Sequence, residues 1–285
     1  MIKVATRKSP LALIQAKIVC GYLSKVDSNS ELKLHPISTE IDSRLDYSLE
    51  KQGGMGVFTK ELDSALLNKS ADIAVHSSKD LPIVISAGLS VAAYLKRESP
   101  LDVLVSTMEH NNIKTIATNS PRRRSQLEAI FPKVKFLLIR GNVQTRLKKI
   151  LQGYADATVL AEAGLNRLGI NEYKGLTFTH LEKEIMVPAA GQGAIAIVCR
   201  NEDLSYFSQF NCPKTYEAVT IEKECLKILD GGCQSPAGVY FDGNNLHLYH
   251  PSIDYNIYDL GSYSIGSPIA NGREIIKSIK KTIIK

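Results

Sequence analysis

Three kinds of side chain in this sequence have the chemistry to act together: one carboxylate in a loop, one cysteine among small residues, and arginines that recur beside helix starts. The carboxylate is Asp80, in the stretch ADIAVHSSKDLP at 71–82. Ile73, Ala74 and Val75 read as a short buried strand, and Pro82 stops a following element, so Ser77 to Asp80 fall on a strand-end loop. Loops at the carboxyl ends of α/β strands are where ligands bind. By itself a Lys-Asp dipeptide is an ordinary solvated pair; the other motifs give it meaning.

Cys233 lies in GGCQSPAG, where paired glycines permit close backbone approach and leave the sulfur open. The remaining cysteines (Cys20, Cys199, Cys212 and Cys225) sit in apolar or helical contexts that suit packing. Five scattered cysteines with no C-x-x-C pair argue against a disulfide framework or a zinc site. The six histidines show no metal-ligand spacing, and none pairs locally with a serine or cysteine nucleophile, so triad and metal chemistry are unsupported.

The arginines follow a pattern. IKVAT reads as a strand, and Arg7-Lys8-Ser9-Pro10 then opens a helix with Ser9 as cap and Pro10 at its first position. Arg7 thus reaches a helix N-terminus, a natural anion site. TIATNSPRRRSQLEAI repeats the design, with Ser120 as cap, Pro121 first, and Arg122, Arg123 and Arg124 in the first turn. Cations there oppose the helix dipole by roughly 0.3–1 kcal/mol each, and a bound anion would remove the conflict. In KFLLIRGNVQTRLKKILQG, Arg140 ends a strand, Arg146 follows in the next helix, and Gly153 stops it; Arg167 follows in DATVLAEAGLNRLG. Arginines at equivalent strand ends converge on one cleft, and their planar forks bind carboxylates in pairs.

The elements that position these residues alternate strand and helix. The polar segment EIDSRLDYSLEKQGGMG reads as a mobile loop bearing Lys51, and FTKELDSALLN, with Lys60, resumes helical spacing. The charged break KRESP at 96–100 is a first domain crossing, and IMVPAAGQGAIAIVCR at 185–200 a return crossing. Two crossings predict a hinged pair of periplasmic-binding-protein-like α/β lobes with a ligand between them. Beyond them, a helix (YEAVTIEKECLKILD), short strands joined through DGNN, and a basic terminal helix predict a C-terminal α+β domain with a small antiparallel sheet. The expected domains are 1–95 with 188–204, then 96–187, then 205–285.

At 285 residues, 44% hydrophobic and 22% charged, the composition is that of a globular protein with room for two or three domains. MIKVATRKSP carries no apolar run of signal-peptide length, and no segment approaches ~18 consecutive apolar residues, so a cytoplasmic protein without a membrane span is expected. The net charge is +6, and the arginines lie next to loops rather than in a tail.

Taken together, TRKSPLALIQA, GGMGVFTKELDSALL, ADIAVHSSKDLP, RESPLDVLVS, TNSPRRRSQL, IRGNVQTRLKK, LAEAGLNRLG, VPAAGQGAIAI and GGCQSPAG, in this order, resemble the porphobilinogen deaminase family, also called hydroxymethylbilane synthases. The resemblance covers almost the whole chain. It implies three domains, one dipyrromethane cofactor joined to Cys233 as a thioether, and Asp80 as the catalytic carboxylate. It implies that Ser77, Lys79, Thr118, Ser120, Arg122, Arg123, Arg140 and Arg146 bind the cofactor. Arg7, Ser9, Gln15 and Arg167, again with Arg140 and Arg146, would bind substrate. The implied reaction condenses four porphobilinogen molecules head to tail with loss of ammonia, giving the linear tetrapyrrole hydroxymethylbilane for heme biosynthesis. A monomer acting on this small molecule, with neither nucleic acid nor membrane as partner, is expected.

Two departures from the family pattern fall in the polar loop: Met55 stands where a lysine between glycines is usual, and Thr39-Glu40-Ile41-Asp42 where T-x-G-D is common. They bear on loop closure and rate; Pro121 and Gln144 are milder variations. The alternative function is a non-catalytic two-lobed protein that binds a small anion. Nucleic-acid binding through Arg122 to Arg124 and the lysine-rich end is weaker, since no interleaved aromatics accompany them.

Overall fold

The centre of strand β1 (Ile2–Arg7) is buried at Val4, Ala5 and Thr6, the pattern of a parallel strand covered on both faces. A computed structural model describes residues 1–39, 59–229, 235–260 and 272–278. Helix α1 (Pro10–Val26) starts as its cap residues dictate, with Ser9 Oγ accepting from the Ala12 N–H. Its buried face, Gln15, Ala16, Val19 and Leu23, lies on the sheet. Strand β2 (Leu32–Ile37) carries Pro36 and only half-buried apolar residues, as an edge strand can.

Helix α2 (Lys60–Leu67) and strands β3 (Ile73–Ser77) and β4 (Leu89–Tyr94) follow. The sheet is completed late in the chain by β10 (Ile195–Arg200), in the order β2-β1-β3-β10-β4. β2, β1 and β3 run parallel, and β10 runs antiparallel to both neighbours. Val4, Ile73, Val75, Ile195 and Ile197 form the core with α1.

The second sheet repeats this plan. Strands β5 (Asp102–Ser106), β6 (Thr115–Ala117), β7 (Lys135–Leu137), β8 (Ala157–Ala161) and β9 (Thr177–Leu181) lie in the order β7-β6-β8-β5-β9. β7, β6 and β8 are parallel and β5 is antiparallel to β8 and β9. Helices α3 (Pro121–Ile130), α4 (Val143–Leu151) and α5 (Glu162–Arg167) connect them. In each sheet, then, one outer strand lies beyond an antiparallel strand that begins at the carboxyl end of a parallel one: Ile195 pairs with Ser77, and Asp102 with Ala161.

After β10 come the short α6 (Leu204–Phe207) and α7 (Pro213–Ile228), then β11 (Gly238–Phe241), β12 (Asn245–His250) and β13 (Asp254–Asp259), an antiparallel sheet. Ile221 and Cys225 of α7 pack on Val239, Phe241, Leu246 and Leu248, together with Ile276 from a helical stretch at 272–278. The chain divides into two compact units, Met1–Glu98 with Ala194–Glu217, and Ser99–Gly193 with Ala218–Lys285. The architecture is therefore two α/β lobes joined by two crossings and a C-terminal antiparallel sheet, as the sequence pattern predicts. One local reading changes: Ser78–Asp80 is a turn of 3-10 helix; in the second lobe α5 follows β8 directly.

Candidate functional site

In the first unit the expected residues gather at the carboxyl ends of the parallel strands. Arg7 ends β1, Ser9 caps α1, Ser77 ends β3, and Lys79 and Asp80 occupy the turn beyond it. Gln15, buried on the first turns of α1, donates from Nε2 to Ser77 Oγ at 2.8 Å. The Ser78 N–H donates to Ala194 O at 2.9 Å, so the turn is held by α1 on one side and the returning chain on the other. Among the described residues no hydrogen bond or ion pair engages the half-buried Asp80 carboxylate.

In the second unit the parallel strands β6, β7 and β8 deliver Thr118, Ser120, Arg140 and Arg167 beyond their carboxyl ends. The Thr118 hydroxyl accepts from the Ser120 N–H at 3.1 Å, and Ser120 Oγ accepts from the Arg123 N–H at 3.3 Å. The cap and the strand end are thereby one folded corner. Asn119 Oδ1 accepts from the Ile139 N–H at 2.6 Å and fixes the neighbouring strand end. Gly141 turns the chain at φ +116°; a Cβ there would meet Thr145 at 2.6 Å, so only glycine lets Arg140 precede the Asn142 cap of α4. Arg146 Nε donates to Gly141 O at 2.8 Å, and Arg167 Nη2 to Gly193 O at 2.6 Å. The Arg140 guanidinium, half-buried, has no hydrogen-bond or ion-pair partner among the described residues.

The arginine run of α3 resolves differently from its sequence appearance. Arg122 and Arg123 are only 4% and 6% exposed, and the anion that relieves their conflict with the helix dipole is internal: Asp102, with 0% exposure. Arg122 Nη2 donates to Asp102 Oδ2 at 2.7 Å, and Arg123 Nη2 and Nε to Oδ1 at 2.7 and 3.2 Å. Their Nη1 atoms donate to Val187 O and Val159 O. Gln192 Nε2 donates to Asp102 Oδ1 at 3.1 Å and to Pro100 O at 2.6 Å. Burial pushes the Arg122 guanidinium down from its ordinary range, and the Asp102 charge opposes that shift. Two guanidiniums against one carboxylate leave a net positive charge at the start of a ten-residue helix. Arg124 points outward to Glu128.

Asp102 and Gln192 are the residues that sequence reasoning missed. The available signal was a carboxylate inside the apolar run LDVLVS, since a buried acid demands a partner. Cys233, together with Glu40, Ile41, Asp42, Lys51 and Met55, lies outside the described residues. No group of three or more His, Cys, Asp or Glu side chains suited to a metal ion occurs among the described residues. No described helix is long and apolar enough to cross a membrane.

Strand order and the two crossings define a class: an α/β protein of two lobes, each with polar and cationic residues at the carboxyl ends of its parallel strands. Residues 2–207 match the family model "Porphobilinogen deaminase, dipyromethane cofactor binding domain". The chain is 41% identical over 246 residues to a porphobilinogen deaminase of Brevibacillus brevis, covering 84% of this chain and 79% of the relative. It is 42% identical over 243 residues to one from Acetivibrio thermocellus, covering 84% and 82%. The chain belongs to the porphobilinogen deaminase family.

Proposed function

We propose that this chain condenses four porphobilinogen molecules into hydroxymethylbilane on a covalent dipyrromethane primer, with release of ammonia, within tetrapyrrole biosynthesis. The observation that carries the reading is the Asp80 turn, anchored through Gln15–Ser77 and Ser78–Ala194 with its carboxylate unengaged among the described residues. Porphobilinogen bears two carboxylates per pyrrole and reacts through a cation-like state at pyrrole nitrogen. A protein for it needs many cations and a well-placed acid, and the strand ends carry both kinds of group.

Dipyrromethane fits the second unit's strand ends: the Thr118–Ser120 corner, the Arg140 fork and the excess charge of Arg122 and Arg123 over Asp102 all favour a polyanion. When bound through Cys233, it supplies the free α-carbon from which the chain grows. Asp80 places negative charge where positive charge develops, and handles the protons of the condensation. Lys79, Ser77, Thr118, Ser120, Arg140 and Arg146 hold cofactor carboxylates; Arg7, Ser9, Gln15 and Arg167, with Arg140 and Arg146, orient those of the substrate. Arg122 and Arg123 act through position and net charge, since most of their donors already serve Asp102 and two carbonyls.

We assign three domains, at 1–95 with 188–204, 96–187, and 205–285; the three separate sheets support this division. A monomer in the cytoplasm completes the reading. Intact-mass measurement tests it: the purified protein should exceed its sequence mass by two linked pyrrole units, and Cys233→Ser should lack the excess. Asp80→Asn should keep fold and adduct yet lose roughly 10²–10³-fold in turnover. A wild-type chain without the adduct, or an Asp80→Asn variant with near-normal rates, overturns the assignment.

A further inference from the structure

The backbone of Val187 meets two other segments. From α3, Gln126 Oε1 accepts its N–H at 2.7 Å, while Gln126 Nε2 and Arg122 Nη1 donate to its carbonyl at 3.0 and 2.6 Å. β11 of the C-terminal sheet also lies so close that a Cβ on Gly238 would fall 2.6 Å from Val187 O and 2.8 Å from Val187 Cβ. The next residue completes the approach, the Val239 N–H donating to Pro188 O at 2.9 Å.

Around this contact runs a polar and aromatic border. Tyr249, the register partner of Gly238 on β12, meets Ser125 of α3 with 2.8 Å between hydroxyls. Lys183 Nζ donates to Asp242 Oδ2 at 3.0 Å and lies 5.9 Å from the centre of the Tyr240 ring. Asp242 also meets His247 Nε2 at 2.9 Å, and His247 Nδ1 meets Tyr255 OH at 2.9 Å. On its β11–β12 side, the face of the sheet turned away from α7 thus meets α3 and residues 183–188.

We propose that Gly238 is a positioning residue: by admitting the Val187 carbonyl it docks the C-terminal sheet onto α3, so that the strand following Cys233 and the Arg122–Arg123–Asp102 cluster form one mechanical body. The functional consequence rests on Cys233 as the attachment point. Gly238 follows it closely in sequence, so fixing β11 against α3 limits how far the chain leading to the attachment point can travel while pyrroles are added.

Hydrogen exchange on the full-length holoenzyme, followed by peptide mass, tests this. In Gly238→Val, protection should fall together in 121–127, 186–193 and 238–241 by roughly tenfold or more, with 73–77 unchanged. Gly238→Ala should lie between it and wild type. Lys183→Met, which touches only the border, should lower protection of the same three segments by a few-fold and supplies the measurement if the valine variant fails to fold. Substrate-pulsed Gly238→Ala should also show a redistribution of enzyme-bound one-, two- and three-pyrrole adducts, which a change confined to stability would not produce. Loosening of 238–241 with 121–127 fully protected, or an unchanged adduct ladder, overturns the proposal. Cys233→Ser should retain wild-type protection in all three segments; absence of the adduct from wild type would defeat the enzymatic reading while leaving the docking result intact.

Discussion

Gln15 and Ser77, 62 residues apart, share a hydrogen bond between a buried amide and the hydroxyl that ends β3, with Gln15 Nε2 2.8 Å from Ser77 Oγ. The helix that Arg7 and Ser9 introduce is thereby tied to the turn that presents Asp80. Neither residue is acidic or basic, yet the pair makes the first unit's strand ends a single arrangement.

Replacing Gln15 by Leu should therefore act on catalysis as well as stability. The Ser77 hydroxyl loses its partner at a cost of about 1–3 kcal/mol. Thermal unfolding should show a fall in Tm of a few degrees, and kcat/KM for porphobilinogen should drop by roughly tenfold. Unchanged kinetics with a lowered Tm would reduce the pair to a structural contact.

Asp102→Asn should be among the most damaging substitutions in the second unit, because it leaves two buried guanidiniums without their counter-charge. Breaking such a cluster from one side costs about 3–5 kcal/mol. Denaturant unfolding should register that loss, whereas Arg124→Ala, which removes an exposed pair with Glu128, should stay within about 1 kcal/mol of wild type.

The turn between β11 and β12 should carry an acid-sensitive share of stability. Burial pushes Asp242 up, but hydrogen bonds from Asn245 N–H, His247, Asn244 N–H and Lys183 outweigh it and hold the carboxyl far below its usual range. A depressed folded pKa stabilises above the unfolded value and loses that contribution as protons bind. Asp242→Asn should thus be less stable than wild type at neutral pH, with the difference closing as pH falls below about 4. Equal Tm differences at pH 7 and pH 3 would contradict this account.

Thiol chemistry should separate the four described cysteines. Burial pushes Cys199 up to about 11, and raises Cys20 and, still further, Cys225. At Cys212 burial also acts upward, but hydrogen bonds from Thr215 and the Lys214 N–H, with Lys96 nearby, lower it overall. Alkylation at about pH 7.5, mapped by peptide mass, should modify Cys212 first among these four. Faster labelling of Cys199 would refute the ordering.

Much of this arrangement is legible in the chain alone because it is local. Ser9-Pro10 and Ser120-Pro121 announce helix starts through capping and the fixed φ of proline, and Gly153 closes α4 at φ +80°. The apolar runs that become β3 and β10 are too continuous for surface strands. Asp80 and Cys233 stand out by motif, which depends only on residue order.

What order along the chain could not decide is which charges meet. Arg122, Arg123 and Arg124 are equivalent as letters, yet helix geometry turns two of them inward onto Asp102 and the third outward to Glu128. The same holds for Gln192, whose amide reaches back to residues 100 and 102 near the first crossing, and for Gly238, whose missing side chain matters only because Val187 arrives from the other side. Residue types and local spacing determined the elements and the kind of ligand; pairing between distant segments is a matter of packing, and only the folded chain could settle it.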